Sequence, residues 1–186
     1  MKDIIIRKAT KDDAALIAKV VAMAIGDDIA KVYCGENHQM VLKELACMEV
    51  SQYSYRNVLV AEVDGMPAGA AVAYNGADLY KLRETTLKTI SRYTGKELII
   101  KDDETDASEF YLDSLGVLPE FRKSGVASKL ILALKEIATA EYNKPLGLLV
   151  DFENPKAERL YMSLGFKRVE EKLFLGHKMW HLVIDN

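Results

Sequence analysis

The chain has 186 residues, of which 49% are hydrophobic and 28% charged, as in an average globular protein. Its 25 Lys and Arg residues and 28 Asp and Glu residues give a net charge of -3, which argues against a sequence-independent nucleic-acid binder. Two cysteines are too few for a disulfide framework, and no signal peptide or membrane-spanning run is visible. We therefore expect a soluble cytoplasmic protein that forms one domain over residues 1–186.

The N-terminal quarter predicts one strand and two helices. Residues 4–6 are a β-branched run typical of a strand, and residues 10–13 carry the Thr and Asp side chains of a helix start. Apolar residues at helical spacing then predict a helix that ends at Gly26 and a second helix over residues 39–52.

A hairpin and a long connection follow. Asp64-Gly65 separates two apolar runs, 58–63 and 68–74, which is the strongest hairpin signal in the chain. Residues 77–93 predict a helix that ends at a glycine, and the acidic segment 101–108 predicts a solvated loop.

The second half alternates more regularly between strands and helices. It predicts a strand over 110–117, a helix over 126–142, a buried strand over 146–151 and a short helix that opens at Asn154-Pro155. Two strands, around 167–175 and 179–184, complete the chain. This order predicts an α/β or α+β sheet with helices packed on it.

The segment from Leu115 to Ala127 carries the clearest chemical signal. A strand ends at Val117, a loop carries Arg122, and Gly125 lies at the start of a long helix. Unpaired N–H groups converge at such a start, the helix dipole adds positive potential, and small residues let a phosphate approach. The spacing is neither a Walker loop nor a dinucleotide fingerprint. The residues leave two interpretations open, a diphosphate cradle or a strand–turn–helix junction with a packing glycine.

Two motifs in this half resemble those of the GNAT family of acyl-CoA-dependent N-acetyltransferases. Arg122-x-x-Gly125-x-Ala127 is similar to the family's R/Q-x-x-G-x-G/A, and Asn154 to Phe166 resembles N-x-x-A-x-x-L-Y-x-x-x-G-F. The close match covers about residues 110–166. The resemblance implies a mixed, mostly antiparallel central sheet that is splayed at the cofactor site, with helices on both faces.

The resemblance also implies that acetyl-CoA is the acetyl donor and lies between the strands that end near Val117 and Asp151. The pantetheine would pair with the backbone of Leu115 and Val117, and the Val117 amide would polarise the thioester carbonyl. Arg122 and Asn154 are further expected contacts. The pyrophosphate would rest on the backbone of five consecutive residues: Lys123, Ser124, Gly125, Val126 and Ala127.

Tyr161 is the expected general acid, because the family often uses a tyrosine at this position to protonate the leaving thiolate. The residues alone allow another role, since Tyr161 shares one helical face with three apolar residues: Ala157, Leu160 and Leu164. Packing in the core is therefore the alternative for Tyr161, and helix capping is the alternative for Asn154.

The general base is harder to assign. Many relatives carry a carboxylate at the position occupied here by Leu149, and Asp113 is the best substitute. On a regular strand its side chain points to the same face as three neighbours: Tyr111, Leu115 and Val117. Glu109 and a water chain are the other options for the base, and Asp113 could instead be paired with a structural Arg or Lys.

Other polar residues give weaker signals. The set of Cys34, His38 and Cys47 lacks metal-site spacing, so no metal is expected. His177, in the predicted final loop, is a candidate contact for the acceptor. The segment over about 75–108 is longer than the family's usual connection, and we expect it to be a helical insertion that shapes the acceptor pocket.

The expected function is direct transfer of an acetyl group from acetyl-CoA to a primary amine of a small molecule or protein. The alternative is a non-catalytic module that binds or senses acyl-CoA. Acetyl-CoA and the amine acceptor are the expected partners, with no nucleic acid and no membrane. A homodimer is left open.

Overall fold

The computed structural model describes residues 3–185, and its seven strands form one sheet. In chain order the strands are β1 (Ile4–Lys8), β2 (Val58–Val63), β3 (Met66–Asn75), β4 (Phe110–Val117), β5 (Leu146–Asp151), β6 (Lys167–Phe174) and β7 (His177–Ile184). Their spatial order is β1-β2-β3-β4-β5-β7-β6, in which β4 and β5 are parallel and the other neighbours antiparallel. The expected mixed, mostly antiparallel sheet is confirmed.

Six α-helices accompany this sheet in the described part of the chain. They are α1 (Ala14–Ile25), α2 (Asp27–Cys34), α3 (His38–Cys47), α4 (Leu79–Thr94), α5 (Val126–Ile137) and α6 (Pro155–Ser163). A π-helical turn over Ala138–Tyr142 extends α5, so the predicted helix over 126–142 is correct in extent but not in type at its end. None of these helices is long and apolar enough to span a membrane.

The helices cover both faces of the sheet. Helices α1 and α3 share one apolar cluster with Val60, Ala70 and Val72, whereas α5 shares another with Leu59 and Ala71. These side chains alternate along β2 and β3, as expected for strands that are covered on both sides. The expected helices on both faces are confirmed.

The N-terminal helices differ from the prediction. An additional helix, α2, lies between Gly26 and Gly35, whose φ angles of 90° and 78° separate it from its neighbours. The predicted helix over 39–52 begins at His38 but ends at Cys47. Beyond it, the Ser51 hydroxyl donates a hydrogen bond of 2.8 Å to the Leu45 carbonyl and so secures a compact turn.

The hairpin and the helix after it agree with the prediction. Asp64 and Gly65 have φ angles of 51° and 79°, the left-handed pair that a two-residue hairpin turn requires. Helix α4 ends at Gly95, which is also left-handed.

Strands β4 and β5 are paired along only part of their length. The paired residues are Phe110 with Leu146, Tyr111 with Gly147, and Leu112 with Leu148. Beyond Leu112 and Leu148 the two strands separate, and we call the opening between them the wedge. The predicted splaying of the sheet is therefore present, and it lies immediately before α5.

Candidate active site

The cradle, residues 123–127, forms the tight entry into α5. Gly125 is left-handed with φ 89°, and a Cβ added there would have no heavy atom within 4 Å. The Lys129 N–H donates to the Gly125 carbonyl at 3.1 Å, so the N–H groups of Val126 and Ala127 precede the helical hydrogen-bond ladder. This open start with free donors fits an anionic phosphate group.

The backbone of β4 offers further hydrogen-bonding groups to the wedge. The Leu118 N–H donates to the carbonyl of Ala68 in the neighbouring strand β3 at 2.8 Å. Because backbone groups alternate in direction along an antiparallel strand, those of Leu115 and Val117 point away from β3 and toward the wedge. The Val117 carbonyl accepts a hydrogen bond of 3.3 Å from Arg122 Nε, which agrees with this direction.

A β-bulge at Asp113 changes which residues of β4 share a face. Residues 112 and 114 pair with consecutive residues of β3, so Asp113 is the extra residue. Before the bulge, Tyr111 and Asp113 face the side opposite α5. After it, Leu115 and Val117 pack with the α5 cluster. The expectation that Asp113 shares a face with Leu115 and Val117 is therefore wrong, whereas the shared face with Tyr111 is correct.

The Asp113 carboxylate is held by two hydroxyl groups. The Tyr74 hydroxyl donates to Oδ2 at 2.9 Å, and the Ser114 hydroxyl donates to Oδ1 at 2.8 Å. Loss of hydration raises the pKa of Asp113 from 3.8 to about 6, and the nearby Glu104 carboxylate acts in the same direction. The two hydroxyl donors and the Arg83 guanidinium oppose this increase. A carboxylate with this pKa is ionised near neutral pH and remains a useful proton acceptor.

Glu104 lies in the segment that the sequence predicted to be solvated, yet its residue exposure is only 3%. Its carboxylate accepts a hydrogen bond of 2.8 Å from the Gln52 side chain and forms an ion pair with Arg83. Arg83 also bonds Asp103 at 2.8 Å. The prediction of a solvated loop is thus wrong at Glu104 and at Thr105, although their neighbours Asp103 and Asp106 are exposed.

One sequence signal could have located this buried network. Arg83 lies on the buried stripe of α4, among residues that the structure buries: Leu79, Leu82, Thr86, Thr89 and Ile90. A buried guanidinium requires an anionic partner. The acidic residues that follow α4 were the available candidates.

The Tyr161 side chain extends from α6 and packs against the apolar cluster that α5 shares with the sheet. Its ring contacts Phe166 edge to face, with 5.7 Å between centroids. Burial raises the pKa of Tyr161 to about 12, so the hydroxyl stays protonated at physiological pH. Among the described residues this hydroxyl has no hydrogen-bond partner. The core contact foreseen as an alternative is real, and it leaves the proton available for donation.

Asn154 caps α6. Its side-chain oxygen accepts a hydrogen bond of 3.2 Å from the Ala157 N–H, and Pro155 occupies the first helical position. Capping, one of the two roles considered for Asn154, is therefore present. Contact with a cofactor stays a prediction.

A second polar cluster lies on the same face, around His181 of β7. His181 Nε2 lies 2.8 Å from Glu109 Oε2, and the Thr105 hydroxyl donates to the other Glu109 oxygen at 2.7 Å. A Cβ at Gly147 would lie 1.7 Å from Glu109 Oε2, so the carboxylate reaches His181 only because residue 147 is glycine. Opposite His181 on β5 lies Leu149, the position at which the family resemblance had implied a carboxylate.

His177 was expected in a loop, but it is the first residue of β7. Its Nδ1 lies 2.9 Å from the Asp151 carboxylate, which belongs to the last residue of β5. Within residues 3–185 no group of three His, Cys, Asp or Glu side chains is placed to hold a metal ion. The Cys34 thiol is buried, which raises its pKa to about 11.

Comparison with known proteins agrees with this architecture. A solved structure described as an acetyltransferase is 35% identical, with a TM-score of 0.81 over 97% of this chain and 98% of that chain. An N-acetyltransferase from Staphylococcus aureus Mu50 is 25% identical, with a TM-score of 0.82 over 97% of this chain and all of that chain.

Curated relatives match over a shorter region. Aminoglycoside N(6')-acetyltransferases type 1 from Salmonella typhimurium and Salmonella enteritidis are 31% identical over 64 residues. The match covers 34% of this chain and 44% of each relative, which is less than half of their length. The sequence model of the Acetyltransferase (GNAT) family matches residues 27–166. The chain therefore belongs to the GNAT acetyltransferase family, whose members use acetyl-CoA.

Proposed function

We propose that the protein is an N-acetyltransferase that transfers the acetyl group of acetyl-CoA directly to a primary amine. The observation that carries the proposal is the wedge between β4 and β5, which opens beside the cradle at the start of α5. The extended pantetheine arm of acetyl-CoA would lie between the separated strands. Its diphosphate would accept hydrogen bonds from the free N–H groups of the cradle. No other opening in the described sheet combines both features.

The cradle and β4 would bind the donor. The N–H groups of residues 123–127 would hold the pyrophosphate, and Arg122 would add positive charge beside it. Leu115 and Val117 would hydrogen-bond the pantetheine in the manner of an added strand. Bound acetyl-CoA supplies the activated acetyl group. The Val117 N–H is the donor proposed to polarise its carbonyl.

Two side chains would move protons during the transfer. Asp113 accepts a proton from the acceptor nitrogen, because its pKa of about 6 leaves it ionised and proton-accepting at neutral pH. Tyr161 donates its hydroxyl proton to the departing sulfur, since its raised pKa keeps it protonated. A protonated amine loses two protons overall, one of which replaces the proton of Tyr161 and the other reaches solvent.

The acceptor is proposed to be a cationic amine. Four carboxylates lie on or above one face of the sheet. Asp113, Glu109 and Asp151 lie on that face, and Glu104 lies in the segment 101–108 above it. This charge favours an ammonium group over an anionic acceptor. The insertion that contains α4 would border the acceptor pocket. The aminoglycoside acetyltransferases among the relatives are compatible with a substrate that carries several amino groups.

A thiol-release assay tests the function directly. Acetyl-CoA is offered with aminoglycosides, polyamines, amino acids and peptides with free N-termini. We expect release of CoA that depends on the acceptor, with at least one polyamine or aminoglycoside. Mass spectrometry of that acceptor should find one added acetyl group on nitrogen. Tight binding of acetyl-CoA without turnover of any acceptor would instead favour a binding or sensing module.

A further inference from the structure

Glu104 and Asp113 are joined through one hydroxyl group. The Tyr74 oxygen lies 2.9 Å from Asp113 Oδ2 and 3.4 Å from Glu104 Oε1. The Gln52 side chain donates both to the Tyr74 oxygen, at 3.1 Å, and to Glu104 Oε1, at 2.8 Å. The segment that contains Glu104 is thereby attached to the residue that we propose as the base.

A tyrosine hydroxyl has one proton, so Tyr74 can donate to only one of the two carboxylates at a time. While Asp113 is ionised, the shorter distance favours donation to Asp113. Once Asp113 carries a proton on Oδ2, it becomes the donor to the Tyr74 oxygen. The Tyr74 proton is then free to turn toward Glu104, which stands in position to accept it.

The charge of Glu104 acts in the same direction. Two carboxylates that share one hydroxyl repel each other when both are ionised, and protonation of Asp113 relieves that repulsion. The Arg83 guanidinium forms an ion pair with Glu104, whereas the hydrogen-bond donors to Asp113 are two neutral hydroxyl groups. The asymmetry therefore assigns the proton to Asp113.

We propose that Glu104 is a positioning residue that makes Asp113 a stronger proton acceptor, through its charge and through the turning of the Tyr74 hydroxyl. The inference rests on the proposed function, in which Asp113 takes a proton from the acceptor amine. In that step a bond from nitrogen to hydrogen breaks and a bond from Asp113 Oδ2 to hydrogen forms. Tyr74 changes its hydrogen-bond partner and keeps its proton.

Other groups near Asp113 do not reproduce this arrangement. Ser114 bonds the opposite oxygen, and Arg83 lowers the proton affinity of Asp113 by its charge. Burial and, to a lesser extent, the charge of Asp113 raise the pKa values of Tyr53 and Tyr111, but neither tyrosine shares a hydrogen bond with Asp113. Within the described chain, Glu104 is the carboxylate that reaches Asp113 through a shared donor.

The test is a carbon-13 NMR titration of the Asp113 side-chain carboxyl, assigned with the Asp113→Asn variant. We expect Glu104→Gln to lower the Asp113 midpoint by roughly 1 pH unit, because glutamine keeps an acceptor oxygen but removes the charge. Asp103→Asn is the matched control, since Asp103 shares Arg83 with Glu104 but does not contact Tyr74. Its shift should be less than a third as large. Equal midpoints in wild type and Glu104→Gln would overturn the inference.

A second measurement uses the wild-type protein and so does not depend on the folding of any variant. The Cζ resonance of Tyr74, in tyrosine-labelled protein, should titrate with the same midpoint as the Asp113 carboxyl, because its hydrogen-bond partner changes there. A Tyr74 resonance that stays constant through that range would overturn the hydroxyl mechanism.

Kinetics separate this inference from the proposed function. The acid limb of kcat/KM should move in Glu104→Gln by the same amount as the NMR midpoint. If Asp113→Asn loses activity but neither the limb nor the midpoint moves, the inference is overturned and the proposed function stands. If the midpoint moves while Asp113→Asn retains full activity, the assignment of Asp113 as the base fails, and with it the role of Glu104 in catalysis.

Discussion

The Tyr74 hydroxyl bonds the Asp113 carboxylate although Tyr74 pairs across the sheet with Tyr111. Alternation along β4 places Asp113 on the face of Tyr111 and Tyr74, which permits this diagonal contact. The extra residue at the bulge turns only the later residues, Leu115 and Val117, to the opposite face. The bulge thus directs Leu115 and Val117 into the apolar cluster of α5, while the acidic side chain of Asp113 stays on the opposite face beside the wedge.

Replacement of Asp113 by asparagine should reduce turnover. Asparagine preserves the size of the side chain but cannot accept a proton, so we expect kcat/KM to fall roughly 10²–10³-fold. The loss should be greatest just above pH 6, where Asp113 is ionised and the acceptor amine is protonated, and smaller below pH 6, where wild-type Asp113 is itself protonated. Acetyl-CoA affinity, measured by calorimetry, should be unchanged. A variant with wild-type kcat/KM at all pH values would remove Asp113 from the mechanism.

The same replacement should change how stability depends on pH. The pKa of Asp113 is raised in the folded protein, so ionising it costs free energy of folding as pH rises from 3.8 to about 6. The full cost, at most about 3 kcal/mol, applies above that range and is absent below it. Relative to wild type, Asp113→Asn should therefore gain stability between pH 4 and pH 7 in urea titrations. A difference that is constant with pH would contradict the raised pKa.

Tyr161→Phe separates proton donation from packing. The ring and its contact with Phe166 are kept, so the melting temperature should change little. Loss of the hydroxyl should lower kcat roughly 10²-fold and leave acetyl-CoA affinity intact. Because the pKa of Tyr161 is about 12, wild-type activity should show no loss from its ionisation below pH 10. Normal turnover in the variant, where chemistry limits the rate, would assign Tyr161 to the core alone.

Gly125→Glu should abolish donor binding. The new side chain places a negative charge in the cradle, where the diphosphate is proposed to lie. Gly95→Glu is the matched control, because Gly95 is also left-handed and also has no heavy atom within 4 Å of an added Cβ. Both variants should share the backbone strain, about 1–2 kcal/mol. Calorimetry should find at least 100-fold weaker acetyl-CoA binding in Gly125→Glu only; equal affinities in the two folded variants would refute the site.

Gly147→Ala should displace Glu109. The added methyl group would lie 1.7 Å from Glu109 Oε2. The carboxylate cannot move away without breaking its hydrogen bond with His181. We expect a loss of ~2–3 kcal/mol in the free energy of unfolding. In a Glu109→Ala background the clash is absent, so the same substitution should cost much less. Additive effects in this double-mutant cycle would show that the two residues are independent.

The strands and the start of α5 were predictable because their signals are local. Alternation, the Asp64-Gly65 turn and the Asn154-Pro155 helix start each depend on a few adjacent residues. The bulge at Asp113 was not predictable, since no turn residue or proline marks it and it arises from pairing with β3. The burial of Glu104 depends on Arg83 and Gln52, which are distant in sequence. Long-range polar pairing of this kind leaves little trace in local composition.

The wedge also divides the molecule mechanically. Strands β1 to β4 form one sub-sheet and β5 to β7 another, and only three residue pairs join the two ladders. A donor molecule bound in the wedge would contact both sub-sheets and hold them together reversibly. Amide hydrogen exchange in β5 and β7 should therefore slow when acetyl-CoA is added, while exchange in the β2–β3 hairpin should change far less. Binding of the donor would therefore stabilise the contact between the two sub-sheets in addition to supplying the acetyl group.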